Sequence, residues 1–372
     1  MRRKSDSIQI LIFVWMVVGF MAAIFVIEDK TFSEQENRVL ADMPKYSNES
    51  LKNGELMKEI EVYLTDQFPL RDTWIGLKSR MERFSGKTEN NNVFFAKDDV
   101  LIKRFEVANE TLIEKNINAI NKLVESTDIP VYFSLIPGAV SIWEEKLPAN
   151  AQNRNQKEMI DTLYSKVNCK TVDNYSALEN HKDEYIFYKT DHHWTALGAY
   201  YGYTALADTL GFEPKKIDDY NKETVSEEFL GTVYSSSGVR WVEPDTMSKY
   251  VSEEGKKVEI IVGDNSREGV FYDYDKLKVK DKYAFYFGGN TALLKISSDS
   301  GNEKSLLIIR DSYSDSEIPF LTEHFDEIYM MDLRYYKFGV PYFLEQTKVD
   351  AIIINYSLDN FCEDGNVVMV GN

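Results

Sequence analysis

The sequence predicts an α/β fold with a mostly parallel central sheet, a β-rich insertion and one preceding transmembrane helix. After residue 105, short apolar runs alternate with helical patterns, a rhythm typical of parallel strands buried on both faces of a sheet. Residues 213–300 break this rhythm, because their apolar runs are β-like and separated by turns. Residues 8–27 form one uninterrupted apolar stretch near the N-terminus.

The apolar stretch predicts the compartment. Residues 8–27 read IQILIFVWMVVGFMAAIFVI, and a bilayer span needs about 20 such residues. Basic residues in 1–7 and acidic residues directly after the stretch predict a cytoplasmic tail and an external remainder. A cleaved signal peptide is the alternative, but Met21-Ala22-Ala23 is followed by bulky residues and makes a poor cleavage site. We therefore expect an uncleaved single-pass anchor in the cell membrane and an extracellular C-terminal domain.

The formal net charge of −18 argues against some partners. Residues 1–7 contribute about +2 (three basic, one acidic), so the remainder carries about −20. Nucleic acid and anionic lipid both attract basic surfaces, so neither is expected as a partner. Cys169 and Cys362 are too few for a disulfide framework. One bridge is possible, and two unpaired buried thiols are equally compatible with so large a core.

The elements follow in chain order. Residues 28–60 are polar and indicate a stalk or lead-in, and the helical pattern over 52–84 is interrupted at Phe68-Pro69. Residues 93–105 predict a hairpin that turns at 97–99. The later pattern predicts helices at 111–127, 154–167, 195–210 and 316–324, and strands at 130–137, 170–173, 186–190, 304–311, 327–333 and 349–356.

Two adjacent histidines raise the question of a metal site. His192 and His193 point in different directions in any regular backbone. His181 and His324 lie outside any H-x-x-x-H or H-E-x-x-H spacing. A phosphoesterase built on a D-H-H triplet would need further Asp/His clusters upstream, and the sequence has none. We therefore expect no metal and no other cofactor.

The same stretch favours half of a nucleophilic site. In an extended segment, residues i and i+2 face the same way, so Asp191 and His193 can lie side by side. The carboxylate would fix the imidazole tautomer and leave the other nitrogen as a general base. The alternatives are that Asp191 only caps the following helix and that His193 is a satisfied core histidine.

The matching hydroxyl is expected after the strand at 304–311, where the sequence continues SYSDS. Open α/β sheets place their ligands at the carboxyl ends of strands, and N–H groups of a following helix can stabilise an oxyanion. Ser312 and Ser314 both qualify, and Ser316 qualifies less because it can cap the helix. Ordinary capping is the alternative for each serine.

The chain also resembles the DHHW family over nearly the whole region after the anchor. These proteins of bacterial surfaces are membrane-anchored or secreted, and they are related to alginate O-acetylation proteins with an SGNH-hydrolase-like domain. The resemblance implies an SGNH-hydrolase-like three-layer fold over 61–372. It is carried by SEQENRVLADMP (33–44), DQFPLRD (66–72), SLIPGAVSIWEEKLP (134–148), TDHHWTALGAY (190–200), FYFGGNTALLKI (285–296) and IRDSYSDSEIPFLTEHFDEIYMMDLRYY (309–336).

The resemblance also implies roles in catalysis. Asp191 and His193 match the acid and base of the relatives' triad, and Ser312 matches the nucleophile, in the reverse order to ordinary SGNH hydrolases. In the alginate relatives this serine passes an acetyl group to a polysaccharide hydroxyl. The relatives usually have a small or hydroxyl residue where this chain has His192, whose side chain we expect to face elsewhere.

Four further residues are candidates for substrate or oxyanion contacts. The backbone N–H of Tyr313, or of Ser312 itself, is a candidate oxyanion donor. Asn290 follows two glycines and is either a second donor or part of a turn. Arg334 is expected near the end of the sheet, where it would orient a carbonyl or a sugar. Trp194 is expected to hold the Asp–His pair rigidly and is included as a substrate candidate.

The sequence therefore predicts a membrane-anchored extracellular O-acyl (acetyl) transferase or esterase that acts on a cell-surface polysaccharide. The expected partners are the glycan and a multi-span membrane protein that supplies acetyl groups, because no acetyl-CoA is expected outside the cell. The alternative is a catalytically inactive glycan-binding or scaffold protein of the cell envelope. A metal-dependent phosphoesterase is a third class, which a chelator would inactivate.

Overall fold

The computed structural model describes residues 2–106, 109–251, 257–262 and 265–372. Its α-helices are α1 (Arg2–Val26), α2 (Asn48–Asn53), α3 (Glu55–Asp66), α4 (Arg71–Phe84), α5 (Glu110–Ser126), α6 (Ala139–Ile142), α7 (Gln156–Tyr164), α8 (Asn174–Glu179), α9 (Ala196–Leu210), α10 (Thr232–Ser237), α11 (Ile318–Leu321), α12 (Val340–Gln346) and α13 (Leu358–Glu363). Its strands are β1 (Phe32–Ser33), β2 (Arg38–Val39), β3 (Glu89–Asn90), β4 (Val93–Phe95), β5 (Leu101–Lys103), β6 (Val131–Ile136), β7 (Lys170–Val172), β8 (Asn221–Phe229), β9 (Asp245–Val251), β10 (Lys257–Val262), β11 (Asn265–Glu268), β12 (Leu293–Ser297), β13 (Ser305–Arg310), β14 (Glu327–Met331) and β15 (Ala351–Ser357). Short 3₁₀ helices span Lys97–Asp99, Glu144–Lys146, Ile217–Asp219, Tyr274–Lys278, Lys282–Phe285, Ser312–Ser316 and Gly365–Val370.

The chain divides into two compact units. The first comprises the residues up to Lys87 together with Tyr234–Trp241, and the second runs from Thr88 to Val233 and from Val242 to Asn372. All the site residues predicted from the sequence lie in the second unit. The predicted boundaries of tail, anchor and stalk remain expectations from the sequence.

The apolar N-terminal stretch is helical. Within α1, Ser7–Val26 has a mean hydropathy of 2.5 and none of it is buried. Among the described residues it is the one helix long and apolar enough to cross a membrane. A signal sequence meets the same criteria of length and composition, so the helix by itself does not distinguish a permanent anchor from a signal sequence.

Two of the quoted sequence stretches meet in an ion-pair cluster of the first unit. Arg38 donates to both carboxylate oxygens of Asp66, at 2.9 Å for the Nη1–Oδ2 pair. Arg71 pairs with Glu36 at 2.9 Å, and Glu36 also accepts from Arg38 at 2.7 Å. Asp66 is buried, so its bidentate pair with Arg38 stabilises the turn between α3 and α4. The predicted interruption is confirmed, since α3 ends at Asp66 and α4 begins at Arg71.

The second unit is built on an eight-stranded sheet with the order β11-β10-β12-β14-β13-β15-β6-β7. From β14 to β7 the neighbouring strands pair in parallel, whereas β12, β10 and β11 continue the sheet in antiparallel pairing. Strand β15 is buried at every position and β13 at every position but its first, as expected for strands covered on both faces. The predicted α/β fold with a mostly parallel sheet is confirmed, and so is the predicted hairpin, formed by β4 and β5.

The region over 213–300 is β-rich, as predicted, but part of it belongs to the main sheet. Strands β8 and β9 form a separate antiparallel pair, whereas β10 to β12 extend the central sheet. The region also contains α10, although its sequence indicates no helix. A sheet extension of this kind has no local signature, because it depends on which strand edge the folded core leaves open.

The topology brings the candidate residues to one edge of the sheet. Strands β13, β15 and β6 run in parallel, so their carboxyl ends meet at the same edge. The loops that follow such ends are where open α/β sheets bind ligands. Ser312 follows the end of β13 almost directly.

The two cysteines are free thiols. Cys169 is partly buried and Cys362 is buried. Burial raises the pKa of the Cys169 thiol to about 11 and that of the Cys362 thiol to about 12. Because the thiolate is the reactive form, neither is expected to act as a nucleophile at neutral pH.

Candidate active site

Ser312 begins a short 3₁₀ helix that is fixed by the residue before it. Asp311 Oδ1 accepts the N–H of Tyr313 at 3.0 Å and so caps this helix. Asp311 Oδ2 accepts the N–H and the hydroxyl of Ser357 at 2.9 and 2.7 Å, and the amide of Asn360 at 2.7 Å. Asp311 is completely buried, where such charge-assisted bonds hold a turn firmly. The turn leaves Ser312 only half-buried.

Asp191 is held by four donors. Its Oδ1 accepts the backbone N–H of His193 at 3.0 Å and the imidazole Nδ1 of the same residue at 2.6 Å. Its Oδ2 accepts the N–H of Thr232 at 2.7 Å and the Thr232 hydroxyl at 2.9 Å. The helix cap suggested as an alternative role for Asp191 is supplied by Thr195, whose side chain accepts from Gly198 N at the start of α9.

The two segments meet at His193. Its Nε2 lies 2.8 Å from Ser312 Oγ, so one imidazole nitrogen faces the hydroxyl and the other faces the carboxylate. Asp191 and His193 are 3 % and 5 % exposed, and Ser312 is the more accessible end of this chain of bonds. The arrangement has the connectivity of a nucleophile, a general base and an orienting acid.

The other two serines make different contacts. Ser314 Oγ accepts from Asn355 Nδ2 at 2.9 Å, and Ser316 Oγ accepts from the hydroxyl of Tyr283 at 3.1 Å. Both serines are buried. Among the described residues, Ser312 is therefore the serine that the imidazole of His193 reaches.

Aromatic side chains join the two segments a second time. The indole N–H of Trp194 donates to the carbonyl of Tyr313 at 2.9 Å, and the Tyr313 hydroxyl donates to the carbonyl of His192. Tyr283 stacks on the imidazole of His193, with centroids 3.8 Å apart and planes at 7°. Trp194 is completely buried, and its contact with substrate stays a prediction. It positions the base and the nucleophile relative to each other.

The electrostatics favour an ionised acid. Burial opposes ionisation of Asp191, but the neighbouring imidazoles of His192 and His193 and the hydrogen bonds to the carboxylate together hold its pKa well below the usual range. Burial and the neighbouring His193 lower the pKa of His192 to about 3, so this imidazole is neutral at pH 7. Asp191 thus carries the negative charge that would stabilise a protonated His193.

A buried ion pair lies in the segment that carries Ser312. Arg310 Nη1 lies 3.0 Å from Asp315 Oδ1, and both side chains are buried. Burial raises the pKa of Asp315 to about 7, against the opposing effect of Arg310. Asp315 also interacts electrostatically with His193, so a second carboxyl group influences the base.

The family profile of DHHW proteins matches residues 107–331, more than half of the 372 residues, and the matched region contains Asp191-His192-His193-Trp194. The chain belongs to the DHHW family. A DHHW family protein from Eubacterium siraeum DSM 15702 has a similar structure, with a TM-score of 0.66, 24 % identity and coverage of 76 % of this chain and 96 % of that one. No curated protein sequence matches the chain.

Two further solved structures resemble this DHHW protein. Bacillus cereus PatB1 with a sulfonyl adduct has a TM-score of 0.62, with 19 % identity over 74 % of this chain and 97 % of that one. The O-acetyltransferase domain of Pseudomonas putida AlgJ has a TM-score of 0.47, with 12 % identity over 73 % of this chain and 93 % of that one. This DHHW protein thus shares its α/β fold, with a large and mostly parallel sheet, with the Eubacterium siraeum and PatB1 structures.

The N–H of Tyr313, a predicted oxyanion donor, already has a hydrogen-bond partner. It donates to Asp311 Oδ1, so it is not available to an oxyanion in this arrangement. The N–H of Ser312 has no hydrogen-bond partner among the described residues. The Ser312 N–H therefore remains the better candidate of the two.

Asn290 and Arg334 lie together but are engaged elsewhere. Arg334 donates to both oxygens of Asp332, at 2.9 and 2.6 Å, and its Nη2 lies 3.5 Å from Asn290 Oδ1. Within the part of the chain that the structure describes, no hydrogen bond joins either residue to the serine or to the base. The positive charge of Arg334 makes a small contribution to the lowered pKa of His192. Their roles toward substrate remain predictions.

Asp191, His192 and His193 also meet the distance requirement for a metal site. Their ligand atoms all lie within 4.8 Å of one another. However, His192 Nδ1 lies 2.6 Å from the hydroxyl of Thr232, and His193 is bonded at both nitrogens. A metal ion here would have to break the bonds that join the serine to the acid, so it competes with the serine site.

Sequence reasoning missed three residues that shape the site. Thr232 supplies two of the donors to Asp191, and Tyr283 stacks on the base. Gly231 packs so closely that a Cβ there would lie 2.2 Å from the Asp191 Cβ. All three come from the β-rich region, where a Gly-Thr pair and a lone tyrosine carry no chemical signal by themselves.

Proposed function

We propose that this DHHW protein is a membrane-anchored extracellular serine-dependent O-acyltransferase or esterase that acts on a cell-surface polysaccharide. The observation that carries the proposal is the chain of hydrogen bonds from Asp191 through His193 to Ser312, at 2.6 and 2.8 Å. A buried acid and base beside a half-buried hydroxyl are what an activated serine needs.

The first half of the reaction acylates the serine. Ser312 Oγ attacks the carbonyl carbon of an acyl ester while His193 Nε2 takes the hydroxyl proton. The imidazolium is stabilised by Asp191, whose pKa is held low enough for it to stay ionised. The N–H of Ser312 is the available donor toward the oxyanion. The tetrahedral species then expels the alcohol, which takes its proton from His193, and leaves an acyl-serine.

The second half transfers the group. A hydroxyl of the acceptor, or water, gives its proton to His193 and attacks the acyl carbon. Collapse of this second tetrahedral species breaks the bond to Ser312 Oγ, which regains its proton from His193. Transferase and esterase therefore differ only in the acceptor that reaches the acyl-serine.

Acetyl is the proposed acyl group and a glycan hydroxyl the proposed acceptor. This rests on the resemblance of the sequence to alginate O-acetylation proteins. The PatB1 neighbour with a sulfonyl adduct supports the nucleophilic step but not the identity of the acyl group, because such adducts form when an activated nucleophile attacks a sulfonyl reagent. We further propose that a multi-span membrane protein delivers the acetyl group to the outer face.

Anchoring by α1 completes the proposal. The exposed apolar helix Ser7–Val26 and the basic residues before it support a single-pass protein whose C-terminal part faces outward. This topology places the serine site on the side of the membrane where surface polysaccharides are found.

Turnover of p-nitrophenyl acetate by the detergent-solubilised full chain tests the enzymatic part. We expect nitrophenol release that Ser312→Ala abolishes and that the surface control Ser165→Ala leaves unchanged. Ser165 is exposed, and the one partner of its hydroxyl among the described residues is the carbonyl of Thr162. Equal background rates in all three proteins would overturn the proposal and favour a glycan-binding scaffold.

A further inference from the structure

Helix α4 exposes its large apolar residues and buries small ones, the reverse of what is expected for a helix in water. Its large apolar residues Trp74, Leu77, Met81 and Phe84 are 42, 48, 56 and 88 % exposed. Spacings of three, four and three residues put them on one helix face. The residues that α4 buries are the small Gly76 and Ser79, which fall on the opposite face. A contiguous exposed apolar stripe of this kind marks a contact surface.

The stripe continues onto α3 and the turn between the helices. Leu64, Phe68 and Leu70 are 40, 37 and 67 % exposed. A groove of about 800 Å³ runs between the two helices, and Leu64, Phe68 and Trp74 are among its lining residues. We call these seven exposed residues the α3–α4 apolar face: Leu64, Phe68, Leu70, Trp74, Leu77, Met81 and Phe84.

The apolar face touches the proposed membrane span. The ring of Phe20 in α1 lies 5.2 Å from that of Phe68 and 5.9 Å from that of Trp74, centroid to centroid. Phe20 precedes the end of α1 by six residues, which at 1.5 Å per residue is about 9 Å along the helix. If α1 spans a bilayer, Phe68 and Trp74 therefore lie at the depth of its outer hydrocarbon and not above it.

Hydrogen bonds fasten the turn to the point where the chain leaves α1. The Tyr63 hydroxyl donates to both carboxylate oxygens of Asp29 at 3.1 and 3.0 Å. The side chain of Gln67 accepts from the N–H of Lys30 and donates to its carbonyl, each at 3.0 Å. These bonds place the end of α3 beside the outer end of the span, which makes the apolar face continuous with it.

We propose that the α3–α4 apolar face inserts into the outer leaflet of the membrane that α1 spans. This rests on the anchoring part of the proposed function, and the occupant is lipid hydrocarbon. An interfacial helix buries its apolar face by about 5–10 Å at the headgroup boundary and carries basic residues beside it. At 100° per residue, Lys78 and Arg80 border the stripe on either side, where their long side chains can reach the headgroups.

The net charge of the chain does not argue against this surface. The face is apolar, and α4 carries four basic and two acidic residues in a chain whose total charge is −18. Insertion of this kind is driven by apolar area and does not require anionic lipid. Residues 28–60 would then lie close to the membrane surface. They would not form the extended stalk that the sequence suggests.

Site-directed spin labelling of the full chain in phosphatidylcholine vesicles tests the proposal. In a Cys169→Ser, Cys362→Ala background, single labels go at Leu77→Cys and Met81→Cys on the face. Val17→Cys reports on the span, and exposed Lys115→Cys on α5 serves as the water control. We expect the labels at 77 and 81 to be several-fold less accessible to a water-soluble nickel complex than the label at 115. The labels at 77 and 81 should also be more accessible to oxygen than the label at 115, as should the label at 17.

Each other outcome overturns the proposal in a distinguishable way. If the labels at positions 77 and 81 are as accessible to the nickel complex as the label at 115, while the label at 17 is in lipid, the interfacial contact is rejected and the anchor is retained. A label at 17 that behaves like 115 rejects the anchor and the contact together. Labels at 77 and 81 protected from both reagents show that protein covers the face, and p-nitrophenyl acetate turnover measured on the same samples reports separately on the serine site.

Discussion

Two buried carboxyl groups of the second unit differ in the donors they meet, and this sets their charge. Asp191 and Glu317 are 3 % and 1 % exposed. Asp191 has four donors and two neighbouring imidazoles, and its pKa is held low. Among the described residues, Glu317 has one donor, the amide of Asn355, and burial raises its pKa to about 8, with Asp311 adding to the effect. Equal burial therefore gives an ionised acid in one loop and a largely neutral one in the other.

The difference fits the proposed catalytic role of Asp191 and a structural role of Glu317. The ionised Asp191 can orient and stabilise a charged His193, whereas the neutral Glu317 contributes only to packing and to one hydrogen bond. If the account is right, removal of the charge should affect activity at Asp191 and the pH dependence of stability at Glu317.

The largest expected effect follows from Asp191→Asn. The amide keeps the shape but cannot hold the imidazole in the required tautomer or balance its charge, so kcat should fall by roughly 10,000-fold, the loss typical of a triad acid. The kinetics of p-nitrophenyl acetate hydrolysis measure this. Glu317→Gln is the matched control and should stay within a few-fold of the parent, and a loss below tenfold in Asp191→Asn would contradict the assigned role.

Thr232→Val should have a smaller effect on the same site. It removes the hydroxyl that donates to Asp191 and also contacts His192 Nδ1, and it keeps the backbone N–H bond to Asp191. A hydrogen bond to a charged group is worth about 1.5–3 kcal/mol, so a drop in kcat/KM of roughly tenfold or somewhat more is expected. Thr209→Val, which loses only a bond to the carbonyl of Ala205 in α9, is the control. Equal kcat/KM values in Thr232→Val and Thr209→Val would show that the Thr232 hydroxyl does not contribute to activity.

Glu317→Gln should change stability with pH. The folded-state pKa of about 8 lies above the ordinary glutamate value of 4.5, so the folded state binds the extra proton between these values. Stability should therefore fall as pH rises through this window, by at most about 1.4 kcal/mol per pH unit for one proton. Urea unfolding at pH 5.5 and pH 8 should show a smaller decline in Glu317→Gln than in the parent. An identical decline would place the responsible group elsewhere, with Asp315 the next candidate.

Removal of metal ions should have no effect on activity. The serine site needs no ion, whereas a metal on the Asp191, His192 and His193 cluster would displace the bonds to Ser312 and Thr232. Turnover of p-nitrophenyl acetate before and after exhaustive chelation is the measurement. Inactivation that added zinc reverses would favour the metal-dependent class over the serine mechanism.

The sequence predicts the parts of the site that lie within short segments. The Asp-x-His spacing places the acid beside the base, and the position of Ser312 after a buried strand places it at the sheet edge. Both are consequences of local geometry, so a pattern reveals them. The sequence also predicts that Trp194 holds the Asp–His pair rigidly, but its bond to Tyr313 joins distant parts of the sequence and so has no local signature.

Partners from distant segments carry no such pattern. Thr232 reaches Asp191 across about 40 residues, and Gly231 matters only because another side chain packs against it. The hydrogen bond from Tyr313 N–H to Asp311, which engages a predicted oxyanion donor, depends on the conformation of a single turn. The antiparallel extension by β10 to β12 depends on which sheet edge is left open.

Reaction with a sulfonyl fluoride tests most directly whether His193 activates Ser312. The serine oxygen should displace fluoride and carry one sulfonyl group, located by mass spectrometry on the peptide that contains Ser312. The account predicts this single adduct in the parent, none in Ser312→Ala, and labelling slowed by orders of magnitude in His193→Ala and Asp191→Asn. Labelling of Ser312 at the same rate in the parent and in His193→Ala, or an adduct elsewhere with Ser312 untouched, would contradict it.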